Sequence, residues 1–323
     1  MTGYQDYVAA LIRRFWNYVD AESLDTDGFL DSTPRSTQRP PVFRRAFEYK
    51  NILIPPDADE ETEKRVVSTL PVAARHRHFA SMRSSQALAQ SVFGNLAIQN
   101  ALGELDGMLS EEGLPAFDFD LDSASMQLEH TIHYLGEPRP TSVDVWFDSG
   151  RRVAVECKLT EPDFGTCSRP RLRKSVDRNF ERDYCNGTYT RQRSRQSRCS
   201  LTEIGVQYWT YIPDIFHWAS TEDASPCPLR DTYQLARNIL AACVDAAGKV
   251  DVQRAYVLVI YDANNPEFQD KGIAQSQIAA VQAALKVPEM LRSISWQSLV
   301  AHLKRSGELS WLTAQLQSKY GFR

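Results

Sequence analysis

Apolar and polar positions recur with two different periods along this chain. Over residues 4–19, "YQDYVAALIRRFWNYV", the apolar residues Tyr7, Val8, Leu11, Ile12, Phe15 and Val19 fall three and four apart and predict an amphipathic helix. A polar, proline-punctuated stretch follows, "DTDGFLDSTPRSTQRPP", which reads as a loop. "PPDADEETEKRVVSTL" predicts a helix opening near Asp57, and "SSQALAQSVFGNLAIQNALGELDGML" predicts one or two more, serine-capped and interrupted near Gly94. From about residue 117 the period drops to two. "SMQLEHTIHYL" alternates, with Met126, Leu128, His130 and Ile132 on one strand face, and "SVDVWFDSGRRVAVECKL" reads as a hairpin. Helices are predicted in "SLTEIGVQYWTYIPDIF" and "RDTYQLARNILAACVDAA". "RAYVLVIYD" is a short apolar run that predicts a buried strand, and the remainder reads as helical. The order predicts an α/β fold: a mixed four-stranded sheet flanked by helices over 117–323, with a mainly helical extension over 1–116 packing on it.

The hairpin carries charge near its centre. Side chains alternate along a strand, so Glu156 and Lys158 share a face with Ala154. A three-residue loop, Asp148-Ser149-Gly150, would place glycine where a left-handed backbone is needed. It would pair Phe147 with Arg151 and set Asp144 opposite Ala154, diagonal to Glu156. Val143, Val145, Phe147, Val153, Val155 and Cys157 would then fill the other, buried face. Two carboxylates in reach of one point suit Mg²⁺ or Mn²⁺, and a lysine beside them suits an attacking water or developing negative charge. The bland alternative is a solvated sheet face.

These residues resemble the PD-(D/E)XK nuclease superfamily, the restriction-endonuclease-like fold. Its pattern of Asp, spacer and Glu-x-Lys matches Asp144 and Glu156-Cys157-Lys158, although Val143 stands where a literal motif has proline. Gln207-Tyr-Trp-Thr-Tyr211 is similar to the Gln-x-x-x-Tyr motif of RecB-like relatives, and helical spacing puts both residues on one face to orient the lysine strand or touch DNA. "SSQALAQSVFGNL" and "ECKLTEPDFGTC" resemble a bacterial branch of the superfamily. The resemblance implies a metal held by Asp144, Glu156 and the Cys157 carbonyl. It also implies a water served by Lys158 and a further acid, for which Glu129 is the first candidate and Glu104 the second. The implied activity is a Mg²⁺-dependent nuclease, with DNA rather than RNA as the expected substrate. Cleavage of both strands would call for a homodimer. A nucleic-acid-binding protein of the same fold that no longer cuts is the alternative from another class, and a structural partner subunit is a third.

The net charge of −4 announces no nucleic-acid partner, but its distribution changes that picture. Residues 168–199 hold ten Arg/Lys against three acids, a net of +7, with Tyr184 and Tyr189 interleaved. Arg171, Arg173, Lys174, Arg191, Arg193 and Arg195 are candidate phosphate contacts there. The six cysteines have no tight pairs and predict no disulfide framework; Cys167, Cys185 and Cys199 are a weak candidate for zinc or an iron–sulfur cluster. No secretory leader or membrane-spanning run is read from the sequence, so a cytoplasmic setting is expected. Three other patterns are weaker. Glu48-Tyr49-Lys50 lacks an acid-bearing hairpin before it. The acids 118, 120, 122 and 129 lack the calcium-loop glycine, and the His-x-His of "RHRH" (75–78) lacks further ligands.

Overall fold

A computed structural model of the chain describes residues 3–24, 28–32, 34–167, 199–218 and 227–323. The basic residues Arg171, Arg173, Lys174, Arg191, Arg193 and Arg195, together with Cys185, lie outside the described residues.

The N-terminal helices form much as their patterns predict. Helix α1 (Gly3–Ala21) buries Leu11, Ile12, Phe15, Trp16 and Val19. Helix α2 (Glu60–Ser68) begins after Asp59, which accepts from the Thr62 N–H at 2.8 Å, and Glu60, Glu61 and Glu63 favour the positive end of its dipole. Ser84 caps α3 (Ser85–Ala89), which runs through a π turn at Gln90–Gly94 into α4 (Asn95–Ile98). Gly94 is required by crowding: a Cβ there would stand 2.8 Å from Thr69 Oγ1.

The sheet has five strands, not four: β1 (Ser125–Ile132), β2 (Thr141–Asp148), β3 (Arg152–Cys157), β4 (Ala255–Tyr261) and β5 (Leu291–Ser295). They lie in sequence order, antiparallel from β1 to β3 and parallel from β3 to β5. Between β3 and β4 the described helices are α5 (Ser200–Glu203), α6 (Tyr208–Ile215) and α7 (Tyr233–Cys243). α8 (Ile273–Ala284) precedes β5, and α9 (Trp296–Ser306) and α10 (Ser310–Tyr320) follow it. Strand β5, "LRSIS", lies in a stretch that reads as helical because five residues with three polar ones carry too little period to compete with neighbouring helix patterns. Here the sheet itself supplies the burial: Arg292 donates to the Pro115 carbonyl and its guanidinium lies 3.9 Å from the Tyr256 ring centroid.

Two cores sandwich the sheet. One joins α1, α2, α3, α4, α9 and α10 to Val145, Phe147, Val153, Val155 and Cys157. The other joins α6, α7 and α8 to Trp146, Ala154, Val257 and Val259. Val143 and Ile132 belong to the second core while Val145 and Leu128 belong to the first, so the strict alternation expected across Leu128 and Ile132 fails. The break falls at Glu129, whose φ of 52° lies in the left-handed region.

The hairpin register also differs from the expected one. Asp148 pairs with Arg152 and Phe147 with Val153, so the three-residue loop is Ser149-Gly150-Arg151, one residue later than expected. Gly150 still takes the left-handed position, at φ 80°. Asp148 holds this register by accepting from the Gly150 N–H, and Arg151 reaches Asp118 at 2.9 Å. Carried one step past Val145–Val155, the register sets Asp144 across from Glu156 rather than Ala154. The offset is two residues along β3, which preserves the face.

Candidate active site

Asp144, Glu156 and Lys158 are brought together at one end of the β2–β3 ladder, but not on an open face. Glu156 and Lys158 are 3% and 5% exposed beneath α7, which removes the solvated-face reading. The Lys158 ammonium lies 3.0 Å from Glu156 Oε1 and 5.3 Å from the Phe164 ring centroid. The Asp144 carboxylate accepts from the Cys157 N–H at 2.7 Å, fixing its position on the neighbouring strand.

Two residues of α7, which no sequence motif singles out, complete the arrangement. Gln234 Oε1 accepts from Lys158 Nζ at 2.7 Å while its Nε2 donates to Glu156 Oε1 at 2.7 Å. Asn238 Nδ2 donates to Glu156 Oε2 at 2.7 Å, and Asn238 Oδ1 has no hydrogen-bond partner among the described residues. A signal exists in the chain: Gln234 and Asn238 stand four apart, on one face of a helix otherwise rich in Leu, Ile and Ala. Gln207 and Tyr211 are placed differently. The buried Tyr211 hydroxyl donates to Gln207 Oε1 at 2.8 Å, Tyr211 packs in the second core, and the glutamine that touches Lys158 is Gln234.

Glu129 joins the group from β1. It accepts from Gln86 Nε2 at 2.5 Å and from the Ser142 hydroxyl. Burial raises its carboxyl above the usual range and Glu156 adds to the rise, against the lowering by Ser142 and Gln86. Its left-handed backbone costs about 1–3 kcal/mol for a non-glycine residue, a strain that packing alone gives no reason to keep. Burial also pushes Asp144 well up, with Glu156 and then Glu129 reinforcing it. Burial works to lower Lys158, but Glu156, Glu161 and Asp144 together outweigh it and keep the ammonium charged. Glu104 stands in the short 3₁₀ segment Leu102–Leu105, and the acids that act most on Asp144 are Glu156 and Glu129.

Three crowded carboxyls facing one committed lysine form a set of hard oxygen donors with surplus negative charge. That is the chemistry a divalent cation relieves. Among the described residues no three His, Cys, Asp or Glu side chains are grouped closely enough to hold a metal ion by themselves. Two carboxylates with a main-chain oxygen and water are a set that suits Mg²⁺. The second Glu-x-Lys does not compete. Glu48 lies in the 3₁₀ segment Arg45–Asn51 and is paired with Arg75 at 2.9 Å.

A protein-family model described as "Restriction Endonuclease associating with ARP" matches residues 23–321. No curated protein and no solved structure matches the chain. Among the described residues no helix is long and apolar enough to cross a membrane.

Proposed function

This chain belongs to that restriction-endonuclease family, and on that premise we propose that it is a metal-dependent nuclease of PD-(D/E)XK type, hydrolysing phosphodiester bonds, with DNA rather than RNA as its substrate. The observation that carries the reading is the buried Lys158 held between Glu156 and Gln234, with Asp144 and Glu129 crowded beside it. Asp144, Glu156 and the Cys157 carbonyl would hold Mg²⁺ or Mn²⁺. When bound, the ion supplies Lewis-acid neutralisation of phosphate charge and a more acidic water.

The chain's own groups do the positioning. Gln234 and Glu156 each accept from the Lys158 ammonium, which leaves it one further N–H donor for a water or a phosphate oxygen. Asn238 and Gln234 together tie down both Glu156 oxygens, so this carboxylate cannot swing when substrate charge arrives. Glu129, with its raised proton affinity, is suited to take a proton from water. The family description also names association with ARP, and we extend that partner to this chain as part of the proposal.

The test is incubation of the full-length protein with plasmid and linear DNA in Mg²⁺, Mn²⁺ or EDTA. Cleavage is expected with either metal, none with EDTA and none for Lys158→Ala. Tight, salt-sensitive binding without cleavage would replace the enzyme by a binding protein of the same fold. Gln234→Ala should lower the single-turnover cleavage rate roughly 10–100-fold, as loss of a group that orients site residues usually does. An unchanged rate would remove Gln234 from the reading.

A further inference from the structure

A cleft of ≈ 760 Å³ opens beside the candidate site, lined by His76, Arg77, His78, Arg83 and by Thr160 and Glu161, which follow Lys158 out of the sheet. Its charges are unevenly satisfied. The acid that lines it, Glu161, is already engaged: Oε1 accepts from the Ser85 hydroxyl and Oε2 from the Leu159 N–H, both at 2.8 Å. The arginines are not so engaged. Arg83 spends Nε on Thr160 Oγ1 at 3.2 Å and Arg77 spends Nε on His78 Nε2 at 2.8 Å. Neither arginine has a carboxylate partner among the described residues.

The two histidines add donors of fixed identity. His78 N–H donates to His76 Nδ1 at 2.9 Å, so the neutral His76 ring carries its proton on Nε2. His78 Nε2 accepts from Arg77, so the neutral His78 ring carries its proton on Nδ1. Two guanidiniums without a carboxylate and the His78 Nδ1–H around a satisfied acid make a site for an anion with several acceptor oxygens, while the His76 Nε2–H is directed to Ser84 Oγ at 3.4 Å. The same loop is tied to the candidate site. Gln86 Oε1 accepts from the His76 N–H at 3.0 Å and Gln86 Nε2 donates to Glu129.

We propose that this cleft is a second phosphate subsite, in which Arg77 and Arg83 grip the sugar–phosphate backbone of the substrate strand beside the bond to be cut. The proposal rests on the nuclease reading above and assigns the "RHRH" segment to substrate rather than to a metal. Backbone contacts of this kind are blind to sequence and release counterions, so they leave a signature in salt dependence.

The experiment measures binding of a fluorescent DNA duplex by anisotropy from low to moderate salt, with Ca²⁺ in place of Mg²⁺, for the full chain, Arg77→Gln and Arg77→Gln/Arg83→Gln. The double variant should bind on the order of tenfold more weakly, and the slope of log Kd against log salt should fall by about 0.9 for each phosphate that is no longer neutralised. KM for cleavage should rise with kcat little changed. Arg77 is exposed and hydrogen-bonds to its neighbour His78, so the single variant carries the test if the double variant folds poorly. Binding and cleavage by the unaltered protein, with the same Kd and salt slope in the variants, would overturn the subsite and leave the nuclease standing. No binding by the unaltered protein would overturn both.

Discussion

Replacing Asp144 by Asn should sharply reduce cleavage and make the fold more stable at the same time. The carboxylate lies among Glu156 and Glu129, and burial with those charges raises it well above its ordinary range. A carboxyl whose proton affinity is higher in the folded than in the unfolded chain subtracts stability as pH rises above the unfolded value, because the unfolded chain gives up its proton more readily. Asparagine removes that liability. Its amide oxygen can still accept from the Cys157 N–H, so the strand contact made by Asp144 is kept. A gain of about 1–2 kcal/mol is expected at neutral pH, typical of a site residue whose charge serves function rather than folding. The gain should shrink as pH falls toward the ordinary value of 3.8, well below which the carboxyl is protonated in both states. Addition of Mg²⁺ should reverse the order. The unaltered protein gains stability by mass action, about 2.7 kcal/mol at a hundredfold excess over Kd, while the variant gains little. Cleavage should fall on the order of a thousandfold, the several kcal/mol that a correctly held cation contributes. Thermal melting with and without Mg²⁺, run beside a plasmid assay, reads both effects. A variant that melts lower in EDTA would refute the crowding argument, and one that still cuts would take Asp144 out of the site.

Glu156 and Lys158 were legible as a pair because strand alternation puts them on one face. Strand β2, by contrast, changes core between Val143 and Val145, and Asp144 at that change is held in place by the Cys157 N–H. A register error of two residues does not alter which side of the sheet a residue occupies. Which residues close over that face was not legible. Gln234 and Asn238 come from a helix some 80 positions beyond the strand, and a glutamine four residues from a tyrosine, Gln207–Tyr211, offered a nearer match to a known pattern. Both pairs have helical spacing; only packing shows that α7, not α6, carries the partners of Lys158 and Glu156. The fifth strand was hidden for a related reason, since β5 is defined by its parallel pairing with β4 and its own alternation is too short to register. Glu129 is a candidate by its place in an alternating strand, yet its left-handed backbone, which breaks that alternation, has no local sequence cue.

Folding stability should climb steeply from pH 7 toward pH 10 because of one residue far from the chemistry. Lys319, on α10, is 1% exposed, and its ammonium donates to the Asn51 carbonyl at 2.6 Å and to Asn51 Oδ1 at 2.9 Å. No carboxylate pairs with it among the described residues. Burial therefore lowers its pKa from 10.5 to about 7. Between those two values the unfolded chain binds a proton that the folded chain refuses. Each pH unit of fall through the window then costs the fold about 1.36 kcal/mol. Across the window the loss is on the order of 5 kcal/mol, and below pH 7 it levels off because both states are charged. Lys319→Met keeps most of the apolar volume and loses the bonds to Asn51, a cost that does not vary with pH. The two stabilities, measured by urea unfolding at several pH values from 7 to 9.5, should diverge as pH rises, with the unaltered protein steepening by close to one proton. Asn51 also donates to the Phe79 and Ser81 carbonyls, so the lysine joins the C-terminal helix to the segment that leads into the proposed phosphate cleft. Parallel pH curves for the two proteins would mean that the ammonium keeps its proton when folded, and that Asn51 alone stabilises the buried charge.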